Sequence, residues 1–391
     1  MRVLLFSVVL ILIFGLFQIL FFRFFNKDWW GKRWIRRASL YLPVIGVISV
    51  LLWGIGEYNT QNWLMLPGAV SAIVTFIIEF CLILSLPISG IIKLINSVFD
   101  KFKKSESGKH QQSRRTFLKS ASAAVPLFTL SLGAGGVVRA MAPANIYQRP
   151  IKIKNLPPQL EGLKIFHLSD IHLRHYVTLA DLDEMLTEAE QFKPDVTLVT
   201  GDIADDLNLL PDAIKMIEEL KTPLGSYATL GNHEYFRGAE HVKRIFGRFQ
   251  TPLFIDVGTT VKVNDYPVFI GGIDDPRAMG AKENAFFRER IDKMNLSRPS
   301  EAFSILMSHR PDALDYGSQT ELDLILAGHT HGGQIGFGGR SLFESNWPDR
   351  YLWGEYHRGK TTLYTSSGAG HWFPFRLGCP AEAPIITLEK A

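Results

Sequence analysis

Five short clusters in the last two thirds of the chain hold side chains of the kind that bind divalent cations. They are Asp170-Ile171-His172, Gly201-Asp202, Gly231-Asn232-His233-Glu234, His309 and His329-Thr330-His331. Their donors are carboxylate and amide oxygens and imidazole nitrogens, with no thiolate among them, a set that admits Mn, Fe, Zn or Ni without choosing among these ions. Any one cluster alone is a weak pattern, because a lone histidine pair is more often structural or solvent-facing than metal-bound. Within two of them, Asp170 with His172 and His329 with His331, the side chains stand two residues apart, the spacing at which neighbours share a face at a strand end. Gly328, Gly332 and Gly333 beside the second pair let backbone approach closely.

Each cluster follows an apolar run that reads as a buried strand. Strands are expected at Leu163 to Leu168, Val196 to Thr200, Ser226 to Leu230, Leu253 to Asp256, Val268 to Ile273, Phe303 to Met307, Leu322 to Leu326, Thr362 to Thr365 and Ile385 to Leu388. A Pro-containing lead, Ile151 to Leu160, precedes them. Helical periodicity covers Leu179 to Phe192, with Thr178 and Asp181 resembling a capping box, and recurs at Leu210 to Leu220 and Glu240 to Phe249. Strands and helices alternating in this way, then a strand-rich second half, argue for a layered α/β domain in which loops at one sheet edge bring the clusters together.

The ordered set resembles the signature of the calcineurin-like metallophosphoesterases: Asp-x-His, Gly-Asp, Gly-Asn-His-Asp/Glu, His, Gly-His-x-His. The match runs over roughly residues 150 to 390 and every motif is present. The chain is most similar to the membrane-linked phosphodiesterase-like group, through Ser308-His309-Arg310-Pro311-Asp312, Gly272-Ile273-Asp274-Asp275-Pro276 and His331-Gly332-Gly333-Gln334. The resemblance implies a four-layer αββα sandwich, two mixed β-sheets flanked by helices, and two divalent metal ions. Carried over, Asp170, His172 and His331 hold the first ion, Asn232, His309 and His329 the second, and Asp202 bridges them. Two ions about 3.5–4 Å apart let one shared hydroxide attack phosphorus while both stabilise phosphate oxygens. His233 is carried over as the outer histidine that contacts phosphate and helps protonate the leaving oxygen. Glu234 reads as a carboxylate orienting a histidine.

Other polar residues weigh less. His167, His175, His241, His357 and His371 fit no ligand slot and read as core or surface histidines. Arg310, beside a ligand, and Asp274 and Asp275, at a strand end, are candidate substrate contacts, whereas Arg174 and Arg376 read as surface ion pairs. Phe343, Trp347, Tyr351, Leu352, Trp353, Trp372, Phe373 and Phe375 are expected to be mainly core, some lining an apolar groove for a lipid-linked phosphate.

The first 139 residues are of another kind. They hold 16 Lys and Arg against five Asp and Glu, net +11, and residues 140–391 hold 26 against 33, net −7, which together give the chain's +4. The globular part therefore lacks the basic footprint of a nucleic-acid binder. Two cysteines imply no disulfide framework. Val3 to Phe22, Leu40 to Ile55 and Leu64 to Leu86 are apolar enough to span a bilayer, Glu79 being the one acidic or basic residue inside them, and Pro87 with Gly90 is expected to break the third. Basic loops after the first and third spans place both in the cytoplasm. Ser113-Arg114-Arg115-Thr116-Phe117-Leu118-Lys119 resembles a twin-arginine export signal, and Ala121 to Val138 is its apolar region or a fourth span.

The expected organisation is a transmembrane region (1–99), a basic loop with the signal (100–142) and the phosphoesterase domain (143–391), multi-pass in a bacterial inner membrane with the catalytic domain outside the cytoplasm. The function expected is hydrolysis of a phosphodiester or pyrophosphate on a phosphorylated small molecule or lipid-linked substrate. Two alternatives stand beside it: a pyrophosphohydrolase of nucleotide-linked lipids at the cytoplasmic face, and a metal-bearing domain that binds phosphate without turnover.

Overall fold

The computed structural model describes residues 2–25, 27–59, 61–102, 108–276, 284–346, 351–371 and 373–391. It divides into two compact units, Met1–Val138 and Arg139–Ala391. The first unit is helical: α1 (Arg2–Phe25), α2 (Lys27–Trp30), α3 (Arg33–Tyr58), α4 (Asn62–Phe102) and α5 (Gly108–Ala140), the last running two residues into the second unit. Three stretches, Leu4–Phe24, Arg33–Tyr58 and Trp63–Ile92, are long and apolar enough to cross a membrane, and Ala124–Ala140 is a shorter apolar helix. The expected break at Pro87 and Gly90 does not occur, because α4 continues through both to Phe102. In apolar surroundings an interrupted helix would leave backbone N–H and C=O groups unpaired, a larger cost than one missing bond at proline. Phe21, Phe22, Ile35 and Leu82 form one buried cluster of this unit, and Ile11, Val50 and Ala72 another.

The second unit holds two six-stranded sheets. The first runs, in spatial order, β1 (Gln148–Ile153), β14 (Ile385–Lys390), β2 (Lys164–Leu168), β3 (Val196–Thr200), β4 (Ser226–Thr229) and β5 (Leu253–Phe254), with β2 to β5 parallel. The second runs β12 (Gly354–Arg358), β13 (Thr361–Thr365), β9 (Leu324–Ala327), β8 (Phe303–Met307), β7 (Tyr266–Gly272) and β6 (Val257–Val263), with β7, β8, β9 and β13 parallel. A small hairpin, β10 (Gly336–Phe337) with β11 (Arg340–Ser341), follows the last histidine pair.

Side-chain alternation along the strands produces the layers. Ile165, Leu198, Ile305, Leu324 and Leu326 point into a core between the sheets. Phe166, Leu168 and Val199 face the opposite way, onto α6 (Leu179–Glu190), α7 (Leu210–Glu219) and α9 (Ala239–Phe246), which follow the short α8 (Asn232–Arg237). Leu306, Ile325 and Ala327 pack with Phe287, Ile291 and Leu314 of α10 (Asn284–Asn295) and α11 (Ala313–Gly317). The result is the expected four-layer αββα sandwich. The capping box at α6 is present, Asp181 accepting from the Thr178 backbone N–H at 2.7 Å.

Strands β1, β6 and β12 were not expected, and all three lie at sheet edges. Edge strands are half solvated and need no continuous apolar run. β6 reads Val-Gly-Thr-Thr-Val-Lys-Val, and β1 carries Pro150, which an edge tolerates.

Candidate metal centre

All five clusters sit just beyond the C-terminal ends of parallel strands: Asp170 and His172 after β2, Asp202 after β3, Asn232 and His233 after β4, His309 after β8, His329 and His331 after β9. The turns there are tighter than continued strands. Asp170, His172, Asp202, His329 and His331 all have positive φ, between 49° and 70°. Left-handed backbone is unfavourable for residues with a Cβ and persists where surrounding contacts enforce it, often at functional sites. The pair spacing of two therefore converges through left-handed turns and not through strand alternation. The enforcing contacts are visible: the His329 N–H donates to both Asp170 carboxylate oxygens, at 3.1 and 2.9 Å, and the His233 N–H to Asp202 Oδ1 at 2.9 Å. Gly328 and Gly231 are required by this crowding, since a Cβ on either would lie 2.0 Å from Asp170 Oδ2 or 2.2 Å from Asp202 Oδ1.

The seven expected ligands fall into two adjoining groups. In the first, His172 Nε2 and His331 Nε2 lie 3.2 Å apart, and Asp170 Oδ1 is 4.0 and 3.5 Å from them. In the second, His309 Nε2 lies 3.2 Å from His329 Nδ1 and 3.1 Å from Asn232 Oδ1. Asp202 Oδ2 is shared, 3.7 Å from His172 Nε2 and 3.3 Å from His309 Nε2. His309 Nδ1 donates to the Thr200 carbonyl at 2.8 Å, which turns Nε2 toward the second group.

In buried surroundings, two imidazole pairs with ring nitrogens 3.2 Å apart and carboxylate oxygens beside them gather the nitrogen and oxygen donors that hold divalent cations. The donor chemistry and spacing thus fit two divalent ions. Burial would push the Asp202 carboxyl up, but the His309, His172 and His233 imidazoles hold it well below the usual carboxylate range. For Asp170 burial prevails and the carboxyl is pushed up. Burial pulls His309 down, yet Asp202, Asp170 and Asp275 carry it up to about 10, a measure of the negative field a cation would meet. Burial, with His309 and Arg310 nearby, holds His329 well below its ordinary value, and burial with His172 and Arg376 does the same to His331.

Asp205 went unrecognised in the sequence. Its Oδ1 accepts from His233 Nδ1 at 2.6 Å, which sets the ring of the outer histidine, and its Oδ2 lies 3.3 Å from Nδ1 of the candidate ligand His172. Burial would push its carboxyl up, but the His172 and His233 imidazoles hold it well below the usual carboxylate range. The available signal was its position three residues after Asp202.

Three expectations change. Glu234 orients no histidine: it accepts from the backbone N–H groups of Gly231, Asp202 and Ile203 at 2.7–2.9 Å, pinning the Asp202 turn. Arg376 is no surface residue but fully buried. It donates to the carbonyls of Ser367, Gly368 and Gly370 and stands 3.3 Å from His331 Nδ1, because the loop after β13 folds over it. Leu352 and Trp353 are core, Trp353 Nε1 donating to buried Glu382 at 3.0 Å, so they line no groove. Trp347 and Trp372 lie outside the described residues. Arg310 is paired with Asp275 at 2.9 Å while its Nη2 has no hydrogen-bond partner among the described residues, and Asp274 accepts from the Tyr235 hydroxyl. His167 and His371 are buried as expected, with the burial of each lowering it to about 3.

If the two groups hold one ion each, His329→Ala and His331→Ala should each release a different ion. Metal analysis of the purified variants should then find about half the native content in each. Unchanged metal in both would contradict the pairing.

A family model described as calcineurin-like phosphoesterase matches residues 163–333. Along nearly its whole length the chain is similar to an uncharacterized metallophosphoesterase of Campylobacter jejuni, 26% identical over 99% of this chain and 98% of the relative. It is 30% identical to an uncharacterized metallophosphoesterase of Bacillus subtilis, over 72% of this chain and 99% of the relative. A Bos taurus transmembrane protein with metallophosphoesterase domain is 29% identical over 73% of this chain and 65% of the relative. With its motifs, sandwich and clustered donors, the chain belongs to the calcineurin-like metallophosphoesterases, a dinuclear metal-dependent family of phosphoester hydrolases.

Proposed function

We propose that this protein is a membrane-anchored phosphoesterase that hydrolyses a phosphodiester or pyrophosphate bond on a lipid-linked or other envelope substrate outside the cytoplasm. Asp170, His172 and His331 hold one cation, Asn232, His309 and His329 the other, and Asp202 bridges them. The observation that carries the reading is the shared Asp202 oxygen, facing a histidine of each group at 3.7 and 3.3 Å. When bound, the two ions supply Lewis acidity and an acidified water. The protein does the rest. His233, with Nδ1 fixed on Asp205, presents Nε2 4.0 Å from Asp202 Oδ2, where it can hold phosphate and pass a proton to the leaving oxygen. Arg310 directs an unpartnered Nη2 near His309, and Asp275 sets its orientation. Asp274, held by the Tyr235 hydroxyl, is a further substrate contact at the same edge.

Anchoring is supported by the three membrane-length helices and the transmembrane relative, and orientation by the basic loops, with the twin-arginine-like segment as their continuation. A lipid substrate is supported by exposed apolar side chains, one beside the site and two at the hairpin that follows the last histidine pair in sequence. Phe236, its ring 5.5 Å from that of His233, is 59% exposed, and Phe337 and Leu342 around the β10–β11 hairpin are 82% and 57% exposed. Burying such side chains against acyl chains is worth roughly 1.5–3 kcal/mol each at full burial. Phe337→Ser with Leu342→Ser should therefore raise KM for a lipid pyrophosphate in vesicles by about tenfold or more, while a soluble chromogenic diester is cleaved as before. An equal loss on both substrates would count against lipid recognition.

A further inference from the structure

We propose that Glu79 forms a monovalent-cation site, for a proton or an alkali ion, inside the helical unit and separate from the phosphoester chemistry. Glu79 on α4 is fully buried, and neither carboxyl oxygen has a hydrogen-bond partner among the described residues. It sits where three helices meet: a Cβ built on Gly15 of α1 would lie 2.6 Å from Pro43 Cβ of α3 and 3.1 Å from Glu79 Oε1. The carboxyl thus occupies the space that the missing side chain of Gly15 leaves.

Polar groups lie along the same three helices. Pro43 has no N–H, so the Ser39 carbonyl lacks its intrahelical donor. Buried Gln18, one turn from Gly15, donates to that carbonyl at 3.1 Å. On α4 itself, Ser71, Thr75 and Glu79 recur every fourth residue and share one face. Ser71 pairs with Ser49 of α3 at 2.9 Å, and the methyl group of buried Thr75 lies against Gly46. The face of α4 that carries Glu79 thus also carries two hydroxyl side chains.

Among the described residues no basic side chain is hydrogen-bonded to it. Along α1 and α3 the nearest described basic residues are Arg23, eight residues from Gly15, and Arg37, six residues from Pro43, at least about 9 Å of rise. The other titratable groups nearby are Tyr41, which is 62% exposed, and Cys81, which faces Gly133. A bare carboxylate in such surroundings is too costly to persist, and buried charges are paired, neutralised or bound to a cation. With no described side chain paired to it, the partner comes from solution.

The test uses the full chain in detergent micelles, with infrared difference spectra recorded against pH and against added Na⁺, Li⁺ or K⁺. A carboxylic acid C=O band should be present at acidic pH, shift down in D₂O, disappear at alkaline pH and be absent from Glu79→Gln. Loss of the band on adding one alkali ion at constant pH would assign that ion, and response to pH alone would assign the proton. On unaltered protein, labelling of Glu79 by a hydrophobic carbodiimide, read by mass spectrometry, should fall in parallel, which keeps the test independent of how Glu79→Gln folds. A Glu79 band indifferent to pH and to all three ions, or no Glu79-dependent band at any pH, would overturn the proposal.

Discussion

Asp202→Asn should fold with unchanged secondary structure, lose most of its bound metal and hydrolyse a chromogenic diester at least about 10³-fold more slowly than the native chain, the upper end of what one lost electrostatic contact costs. The reason is geometric. Asp202 Oδ2 faces His172 and His309 at 3.7 and 3.3 Å, so it belongs to both groups, while Oδ1 accepts the His233 N–H at 2.9 Å. Asparagine keeps the shape and one acceptor oxygen. It removes the negative charge that two cations would share, and either orientation of the amide brings N–H hydrogens to a position where an acceptor is needed. Metal analysis and steady-state rates on the same preparation give the readout. Near-native metal content and turnover would remove the bridging role.

For His233→Ala the expected loss depends on the leaving group. With an alkyl diester, whose departing oxygen needs a proton, kcat should fall by about 10²–10⁴-fold. With a nitrophenyl ester, whose leaving group departs readily as an anion, the fall should be much smaller, and metal content should be unchanged. Asp205→Asn should reproduce the pattern in weaker form, by about 10–100-fold. It loses the acceptor 2.6 Å from His233 Nδ1 that orients the ring, and with it the contact to His172. A uniform loss across leaving groups would place His233 in phosphate binding alone.

The strands that deliver the site were legible because interior parallel strands are apolar on both faces: β3 reads Val-Thr-Leu-Val-Thr and β8 Phe-Ser-Ile-Leu-Met, each wholly buried. The edge strands escaped because half of each remains in water. The clusters were legible from donor types and from their place after apolar runs. Their partners were not: Asp205, Arg376 and the backbone role of Glu234 involve contacts between segments remote in sequence or carbonyls that carry no residue label.

Sequence alone therefore determined the family, the layered fold, the candidate ligands and the apolar helices, since these rest on periodicity and on side-chain chemistry, which are local. Tertiary structure decided the rest. It placed one Asp202 oxygen against both His172 and His309, turned His329 and His331 through left-handed backbone toward different groups, and buried Trp353 and Arg376. It also left Glu79 without a hydrogen-bond partner among the described residues, where Gly15 and Pro43 meet. Distances of a few ångströms between residues as much as 159 positions apart depend on how the strands pair and the loops close, and no local pattern encodes them.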